Sequence, residues 1–375
     1  MTAAGGPPVV VCGVIPPGPG GMRDYGELLA ADLRRRGRPA VVRWQLNDGA
    51  RLAMCLGANL RFLWAALRLR RGTSVVWNYA PISMGWRGLP GPGVLFGLVA
   101  RARGAHVVTV LHELAPRWAG QPWTVRASAV ASSALLAPVL AGSDAVVVTT
   151  EHRRRRLAPF LRAAGTPLHF LPVFSNFPVP GERPPTGDGF PVVVVDHGAD
   201  YARPDVVVDA LVRLRATGPG RLVLLGSPGP GRPAADRWTD LAAAARLPDG
   251  AVSFTGIVSY LEFSRALLSA GAVVLPNEQG PSCRKGTLAA AVSHGCPVVS
   301  VDGPFRWDRL VDEGAVTVVP PDGAALAAAL ARLRDDPAAR AEAGRRAAAF
   351  YDEAMSVEVV GAAIAGLLPP GRRPP

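Results

Sequence analysis

Short runs of β-branched and other apolar residues recur along the chain, and each is followed by a segment long enough for a helix. The first series lies at 9–15, 40–46, 74–80, 106–113 and 145–150. A second series lies at 190–198, 221–227, 251–258, 272–277, 297–303 and 315–320. Continuous apolar strands that alternate with helices are typical of parallel sheets covered on both faces. The pattern therefore predicts an α/β protein with two Rossmann-like domains.

A segment rich in Pro and Gly and poor in periodicity, 171–189, separates the two series. We predict an N-terminal Rossmann-like domain at 1–175, a linker at 176–189 and a C-terminal Rossmann-like domain at 190–345. The alanine-rich segment 346–375 predicts a C-terminal helix and tail that pack back towards the N-terminal domain. Ligands of open α/β sheets bind beyond the carboxyl ends of the strands. The chemistry is therefore expected in a central cleft that both domains face.

Composition narrows the class of protein. Of the 375 residues, 49% are hydrophobic and 19% charged, as expected for a folded chain. The net charge of +12 raises nucleic acid or an anionic membrane as a partner. Enrichment in arginine along the whole chain is the simpler explanation, and we do not expect a nucleic-acid partner. Four scattered cysteines without a C-x-x-C pair, and no visible signal peptide, favour a cytoplasmic protein without a disulfide framework or a metal site.

The segment 51–72 allows two interpretations. It has leucines at 52, 56, 60, 63 and 67 and several arginines. It could be a basic amphipathic helix that lies on a membrane surface, which would place the protein at the inner face of the membrane. The preferred interpretation is an ordinary crossover helix whose leucines face the sheet, because a helix is required there in any case.

The first strand ends in a glycine-rich turn that precedes a helix. Gly20 and Gly21 stand at this turn, where bare backbone N–H groups and the positive end of the helix dipole suit a phosphate. The spacing is not G-x-G-x-x-G, and no acidic residue closes the second strand. A nicotinamide cofactor is therefore disfavoured.

Polar side chains also follow the third and fourth strands. Asn78 and Tyr79 end the third strand, Trp86 lies in the loop after it, and His112 and Glu113 end the fourth. Neighbouring strand ends would bring these side chains to one rim of the sheet. The sequence has neither H-E-x-x-H nor G-x-S-x-G, which argues against a zinc site and a hydrolase triad.

The stretch NEQGPSCRKGTLAAAVSHGCPVVS, 277–300, contains Lys285, the only lysine of the chain. Arg284 and Lys285 stand at the start of a predicted helix, where the dipole is positive and cations are misplaced unless an anion accompanies them. Ser282 and Thr287 add hydroxyl groups. Two cations with free N–H groups form a site for a diphosphate that needs no metal.

With these features together, the chain resembles the retaining family-4 glycosyltransferases of the GT-B fold. The similarity lies in PPGPGGMRDYGELLAADLRRRG, in LHE of the fourth strand, in DHGADYARPDVVVDALVRL and in SCRKGTLAAAVSHGCPVVS. It implies transfer of a hexosyl group from a nucleotide diphosphate sugar with retention at the anomeric carbon, without a metal or other cofactor. It also implies that Gly20 and Gly21 contact the diphosphate or sugar, that His112 contacts the donor sugar, and that Arg284 and Lys285 neutralise the leaving diphosphate.

The sequence departs from the family at several positions. Ser282 and Ala290 replace a pair of glutamates, although SCRKGT matches an S-x-R-[RK]-G-[ST] variant. Glu278 is the nearest acidic substitute for the missing ribose-binding glutamate. After Gly198 the family's arginine is replaced by Ala199, and the expected lysine aligns with Pro204, so Arg203 would supply that charge.

These considerations give each candidate residue an expected role. Catalytic roles are expected for His112, Arg284 and Lys285; donor-binding roles for Gly20, Gly21, Arg203, Glu278, Ser282, Gly286 and Thr287; and acceptor-binding roles for Arg23, Tyr25, Asn78, Tyr79, Trp86 and Glu113. The acceptor class stays open between a small molecule, a glycan and a lipid-linked molecule. Two alternatives remain: a nucleotide-sugar epimerase of the same fold, and a non-catalytic GT-B protein that binds anionic membrane or nucleic acid.

Overall fold

A computed structural model of the chain describes residues 8–18, 20–49, 51–86, 89–114, 123–182, 184, 189–196 and 202–370. The chain divides into two compact units. Unit 1 comprises Met1–Pro172 together with Val357–Pro375, and unit 2 comprises Val173–Ser356.

Unit 1 is an α/β unit built on a six-stranded parallel sheet of order β2-β1-β3-β6-β7-β8. Its strands are β1 (Val9–Ile15), β2 (Ala40–Leu46), β3 (Ser74–Tyr79), β4 (Gly85–Trp86), β5 (Leu89–Pro90), β6 (His106–Leu111), β7 (Ala145–Val148) and β8 (Leu168–Phe170). Its helices are α1 (Gly21–Arg35), α2 (Leu52–Leu67), α3 (Pro81–Met84), the 3₁₀ helix η1 (Pro92–Leu95), α4 (Phe96–Ala102), α5 (Trp123–Ala134), α6 (Leu136–Ala141), α7 (Glu151–Ala163) and α15 (Val357–Leu367).

Unit 2 repeats this architecture with the strand order β11-β10-β9-β12-β13-β14, again parallel throughout. Its strands are β9 (Pro191–Val195), β10 (Arg221–Leu225), β11 (Val252–Phe254), β12 (Ala272–Leu275), β13 (Val298–Val301) and β14 (Thr317–Val319). Its helices are α8 (Pro204–Thr217), α9 (Pro233–Ala244), α10 (Tyr260–Leu268), α11 (Gly286–Ser293), α12 (Asp308–Asp312), α13 (Gly323–Asp335) and α14 (Pro337–Ala354). The prediction of two Rossmann-like domains is confirmed.

Both sheets contain a topological switch point, where the chain turns from one side of its first strand to the other. In unit 1 the switch lies between β1 and β3, and in unit 2 it lies between β9 and β12. Loops that leave adjacent strands in opposite directions open a crevice at the carboxyl ends of those strands. In unit 1 the glycine-rich turn follows β1, and Asn78 is the second-last residue of β3. In unit 2 Arg203 lies after β9, and the 276–285 loop follows β12.

The buried side of α2 differs from the one that the leucine spacing indicated. Its buried residues are Cys55, Ala58, Asn59, Phe62 and Ala66, and Phe62 stacks on Phe96 with ring centroids 4.1 Å apart. Asn59 Nδ2 donates to the backbone oxygens of Cys55 and Met84, each at 2.7 Å, and its Oδ1 accepts from Gly93 N–H at 3.0 Å. A buried amide with these three bonds fixes the rotation of the helix.

The interpretation that the leucines of α2 face the sheet is therefore wrong for most of them. Leu63 packs partly against the core, whereas four leucines are exposed: Leu52, Leu56, Leu60 and Leu67. The physical reason is that Asn59 and Phe62, on the opposite side of the helix, make the hydrogen bonds and the ring contact that hold that side against the core.

The last helix, α15, packs against α1 inside unit 1. The carboxylate of Asp32 on α1 is 2% exposed and accepts from Arg36 Nε at 2.6 Å. Arg35 bridges from Asp32 to Glu358 on α15 at 2.9 and 3.2 Å. Among the helices within the described ranges, none has the length and apolar character that crossing a bilayer requires.

Candidate functional site

In unit 2, the loop from β12 to α11 presents a helix start to the switch point. Lys285 is the N-cap residue of α11, and its side chain makes no capping hydrogen bond. The first N–H groups of a helix have no partner within the helix, and the dipole makes them attractive to an anion. Ser282 Oγ is buried and has no hydrogen-bond partner among the described residues. A buried hydroxyl of this kind beside two cations indicates a polar ligand.

Arg284 is held in place by a residue that the sequence did not single out. Arg284 Nη2 donates to Gln279 Oε1 at 2.9 Å, and Gln279 is 2% exposed. The backbone N–H of Gln279 donates to Asn277 Oδ1 at 2.9 Å. The guanidinium of Arg284 is therefore oriented by a neutral amide, which leaves its positive charge uncompensated by that contact.

The backbone of this loop is pinned from several sides. Phe305 N–H donates to Gln279 O at 2.8 Å, Trp307 N–H to Pro281 O at 3.0 Å, and Val173 N–H to Cys283 O at 2.9 Å. A loop held in this way does not have to reorganise its own hydrogen-bond donors when charge develops on a bound group. This is the condition for strong electrostatic stabilisation.

The close approach of Gly303 to the loop gives a testable consequence. A Cβ atom at Gly303 would collide with the backbone of Gln279 and Gly280, whereas a Cβ at Gly286 would meet no atom within 4 Å. Gly303→Ala is expected to lower the free energy of unfolding by about 1–3 kcal/mol through overpacking. Gly286→Ala, at the start of a helix, should leave it unchanged or raise it by up to about 1 kcal/mol. Urea denaturation of the two variants checks this, and equal stabilities would contradict the packing argument.

Arg203 lies beside the same loop. Its N–H donates to Pro276 O at 2.8 Å, and Ala202 pairs with Asn277 in an antiparallel bridge. Arg203 forms a bidentate ion pair with Asp205, with Nε to Oδ1 at 2.9 Å and Nη2 to Oδ2 at 2.6 Å. This pair raises the pKa of Arg203 and lowers the pKa of Asp205. Arg203 is thus close to the 276–285 loop, but its charge is shared with a carboxylate.

The remaining donor candidates of unit 2 lie at the edge of this site. Glu278 is exposed and its charge acts on Arg203; Gly286 is exposed and Thr287 is half-buried in the first turn of α11. Ala290 is fully buried, so this position offers no polar group. Gly198 and Ala199 lie outside the described residues.

In unit 1, the structure joins Asn78 and His112 across neighbouring strand ends. His112 Nε2 lies 2.9 Å from Asn78 Oδ1, and the Tyr25 ring meets the His112 ring edge-on with centroids 4.9 Å apart. Asn78 Nδ2 is oriented towards Cys12 O at 3.4 Å, which turns Oδ1 towards the histidine. His112 therefore donates from Nε2–H, and in the neutral ring the lone pair is on Nδ1.

His112 is neutral over the physiological range. Burial lowers its pKa from 6.5 to about 4, and the positive charge of Arg153 acts in the same direction. Arg153 Nη1 donates to the backbone oxygen of His112 at 2.6 Å and to Thr149 Oγ1 at 3.1 Å. A neutral imidazole with a fixed tautomer can accept a hydrogen bond from a hydroxyl group but carries no charge to the ligand.

The other candidate residues of unit 1 differ in how exposed they are. Gly20 and Gly21 are exposed at the N-terminus of α1, the helix that carries Tyr25. Arg23 is half-buried, and its Nε has no partner among the described residues. Glu113 and Trp86 are half-buried.

Tyr79 differs from the expectation that it lines the rim. It is fully buried, and its ring meets Trp77 edge-on with centroids 5.5 Å apart. Successive residues of a strand point to opposite faces, so the position that exposes Asn78 to His112 directs Tyr79 into the core.

Two contributors were not predicted, Gln279 and Arg153. For Arg153 a signal existed: it lies in the first turn of α7, after the N-cap Thr150, where a cation is as misplaced as in α11. For Gln279 no sequence signal distinguishes it from its loop neighbours.

Residues 190–336 match the family model "Glycosyl transferases group 1". Comparison with curated protein sequences gave no match.

Solved structures similar to the chain extend over nearly its whole length. Sucrose-phosphate synthase from Thermosynechococcus elongatus is 18% identical with a TM-score of 0.70, covering 96% of this chain and 98% of that one. HepE of Anabaena in complex with UDP and glucose is 14% identical with a TM-score of 0.68, covering 96% and 99%. An α,α-trehalose-phosphate synthase from Burkholderia xenovorans in complex with glucose-6-phosphate is 14% identical with a TM-score of 0.67, covering 97% and 100%. The chain has the GT-B fold, and most of its C-terminal unit matches the group 1 glycosyl transferases.

Proposed function

We propose that the protein transfers a hexose from a nucleotide diphosphate sugar to an acceptor, without a metal and with retention at the anomeric carbon. The observation that carries the proposal is the start of α11 at the switch point of unit 2, which Arg284 and Lys285 directly precede in a loop that also holds the partnerless hydroxyl of Ser282. The match of residues 190–336 to group 1 glycosyl transferases supports the same activity. Retention is part of the proposal because SCRKGT resembles the S-x-R-[RK]-G-[ST] variant of the retaining family-4 enzymes.

In this proposal the protein lowers the barrier by stabilising the leaving diphosphate. As the bond between the anomeric carbon and the diphosphate oxygen breaks, negative charge accumulates on the diphosphate. Arg284, Lys285 and the first N–H groups of α11 supply the positive charge that a metal would otherwise provide. Arg203 contributes less, because Asp205 already accepts from its guanidinium in a bidentate pair.

Unit 1 contributes a neutral hydrogen-bond acceptor. The His112 tautomer set by Asn78 has its lone pair on Nδ1, which accepts from a hydroxyl of the transferred sugar. Gly20 and Gly21, exposed at the N-terminus of α1, contact the diphosphate or the sugar of the donor. Acceptor contacts are proposed for Arg23, Trp86 and Glu113. Tyr25 and Asn78, which the sequence suggested as acceptor-binding residues, are buried at 3% and 0% exposure and contact His112 instead. Tyr79 is left out because its side chain is buried in the core.

Uridine donors are the first to test, because structures similar to this chain were solved with UDP, with UDP and glucose and with UDP-glucose. The protein is incubated with UDP-, GDP- and ADP-linked hexoses and with sugar phosphates, glycans or lipid-linked acceptors, in the presence of EDTA. We expect acceptor-dependent release of a nucleoside diphosphate and, by NMR, a product with the anomeric configuration of the donor.

The same experiment separates the alternatives. Epimerised sugar without transfer would identify an epimerase, and inversion or loss of activity in EDTA would contradict the corresponding part of the proposal. Binding of nucleotide sugar without turnover with any acceptor would favour a non-catalytic protein.

A further inference from the structure

The outer face of α2 carries a row of large apolar side chains, which we call the α2 stripe: Leu52, Leu56, Leu60, Trp64 and Leu67. Their exposed fractions range from 41% for Leu56 to 57% for Leu60. Single exposed leucines are ordinary in monomeric proteins, but a contiguous apolar surface marks an interaction site. The spacing of three and four residues places all five on adjacent positions of one helical surface.

The elements packed against α2 extend this apolar character. Leu95 in η1 and Leu98 in α4 are also exposed, at 40% and 38%. Both elements contact α2, so exposed leucines are also present on the helices next to it. The hydrogen bonds of Asn59 on the inner side prevent α2 from rotating to bury the stripe.

The charged residues of α2 and its immediate flanks, 51–72, all have one sign. Exposed arginines surround it at 51, 61, 68, 70 and 71. Between Asp48 and Glu113 the sequence contains eight arginines and no acidic residue. Arg68 lies over the Trp64 ring, with Cζ 3.0 Å from the centroid, which places a cation directly beside the apolar surface.

We propose that the α2 stripe docks on the surface of an anionic lipid bilayer, with α2 lying in the plane of the interface. The leucines and Trp64 enter the boundary between head groups and acyl chains, and the arginines contact the anionic head groups. A helix of 16 residues is about 24 Å long, too short to span the hydrocarbon core, which fits a position on the surface.

Other occupants fit the stripe less well. A nucleic acid would be attracted by the arginines but would gain little from covering five large apolar side chains. A second copy of the chain would bring two arginine-rich rims of the same sign together around the apolar contact. An anionic bilayer satisfies both the apolar row and its basic border.

The test is flotation of the full-length protein with vesicles of phosphatidylcholine alone or mixed with phosphatidylglycerol. We expect binding to the mixed vesicles, with weaker binding at high salt and on pure phosphatidylcholine. Leu60→Glu and Trp64→Glu should each weaken the binding by about tenfold or more, since a charge then replaces a buried apolar group. Ile257→Glu is the matched control, because Ile257 is 90% exposed in unit 2 and should leave the binding unchanged.

A second pair of variants tests the basic border. Arg61→Gln and Arg68→Gln should each weaken binding about fivefold, equivalent to about 1 kcal/mol per arginine near an anionic surface. Arg237→Gln, at an exposed position on α9, should have no effect.

Several results would overturn the proposal. They are absence of flotation with the mixed vesicles, equal flotation of Leu60→Glu and the wild type, and dimerisation in lipid-free buffer that Leu60→Glu abolishes. Binding of RNA that Trp64→Glu weakens, without any binding of vesicles, would do the same.

Discussion

Replacing Lys285 with alanine is expected to slow sugar transfer by roughly 10²–10³-fold, the effect of removing one preorganised charge donor from a developing anion. Lys285 is the N-cap residue of α11, and the loop before it is pinned by backbone hydrogen bonds from Phe305 and Trp307. The loss should appear mainly in kcat, because the charge on the diphosphate grows as the bond to the sugar breaks. Steady-state kinetics with the best donor measures it.

Two further variants make this result specific. Lys285→Arg should recover part of the activity, because it restores the charge but not the compact ammonium group. Arg237→Gln removes a cation from the exposed surface of α9 and should leave turnover unchanged. Unchanged turnover in Lys285→Ala, with the thermal stability of the wild type, would show that Lys285 has no part in the chemistry.

Acidification is expected to destabilise the protein through His112. In the folded state burial and the charge of Arg153 lower the pKa of His112 to about 4, against an ordinary value of 6.5. Between these values the unfolded chain binds a proton at this position that the folded protein does not. The free energy of unfolding therefore falls as the pH drops from 6.5 to 4, by about 3 kcal/mol in total, and this contribution is absent above pH 6.5.

A His112→Gln variant isolates this contribution. Glutamine can still donate to Asn78 Oδ1 but does not titrate, so the difference in stability between wild type and variant should depend on pH only below about 6.5. Denaturant titrations at several pH values measure the difference. An NMR titration of the wild type should show one histidine ring that stays neutral down to about pH 5. Parallel pH profiles for the two proteins would contradict the assignment of a neutral His112 in the folded protein.

The sheet framework was predictable because buried parallel strands need continuous apolar runs. β1 and β2 occupy the same residues as their predicted runs, and the strands of unit 2 lie inside theirs. β8 and the β4–β5 hairpin were missed, since strands of two or three residues leave too little pattern to recognise.

The orientation of α2 was not predictable from spacing alone, because the helix has two apolar surfaces. Its leucine row is the more hydrophobic, yet Phe62 and Asn59 face the core. The side of α2 that faces the core is decided by long-range contacts with Phe96, Met84 and Gly93. No local sequence pattern encodes these contacts.

In the candidate site, too, a local feature was predictable from the sequence and the long-range contacts were not. The electrostatic misplacement of Arg284 and Lys285 is a local property, so the sequence predicted an anion site there. The orientation of Arg284 by Gln279 and the contact of Arg153 with the His112 backbone depend on loops and helices that meet only in the folded chain.

Calorimetric titration of nucleoside diphosphates tests most directly whether the start of α11 binds a donor diphosphate. UDP, GDP and ADP are titrated into the full-length protein in EDTA, with the corresponding monophosphates as comparison. We predict that at least one diphosphate binds about tenfold or more tightly than its monophosphate, and that Lys285→Ala and Ser282→Ala each remove most of this difference. If no diphosphate binds, or if both variants bind it as the wild type does, the central assignment is wrong.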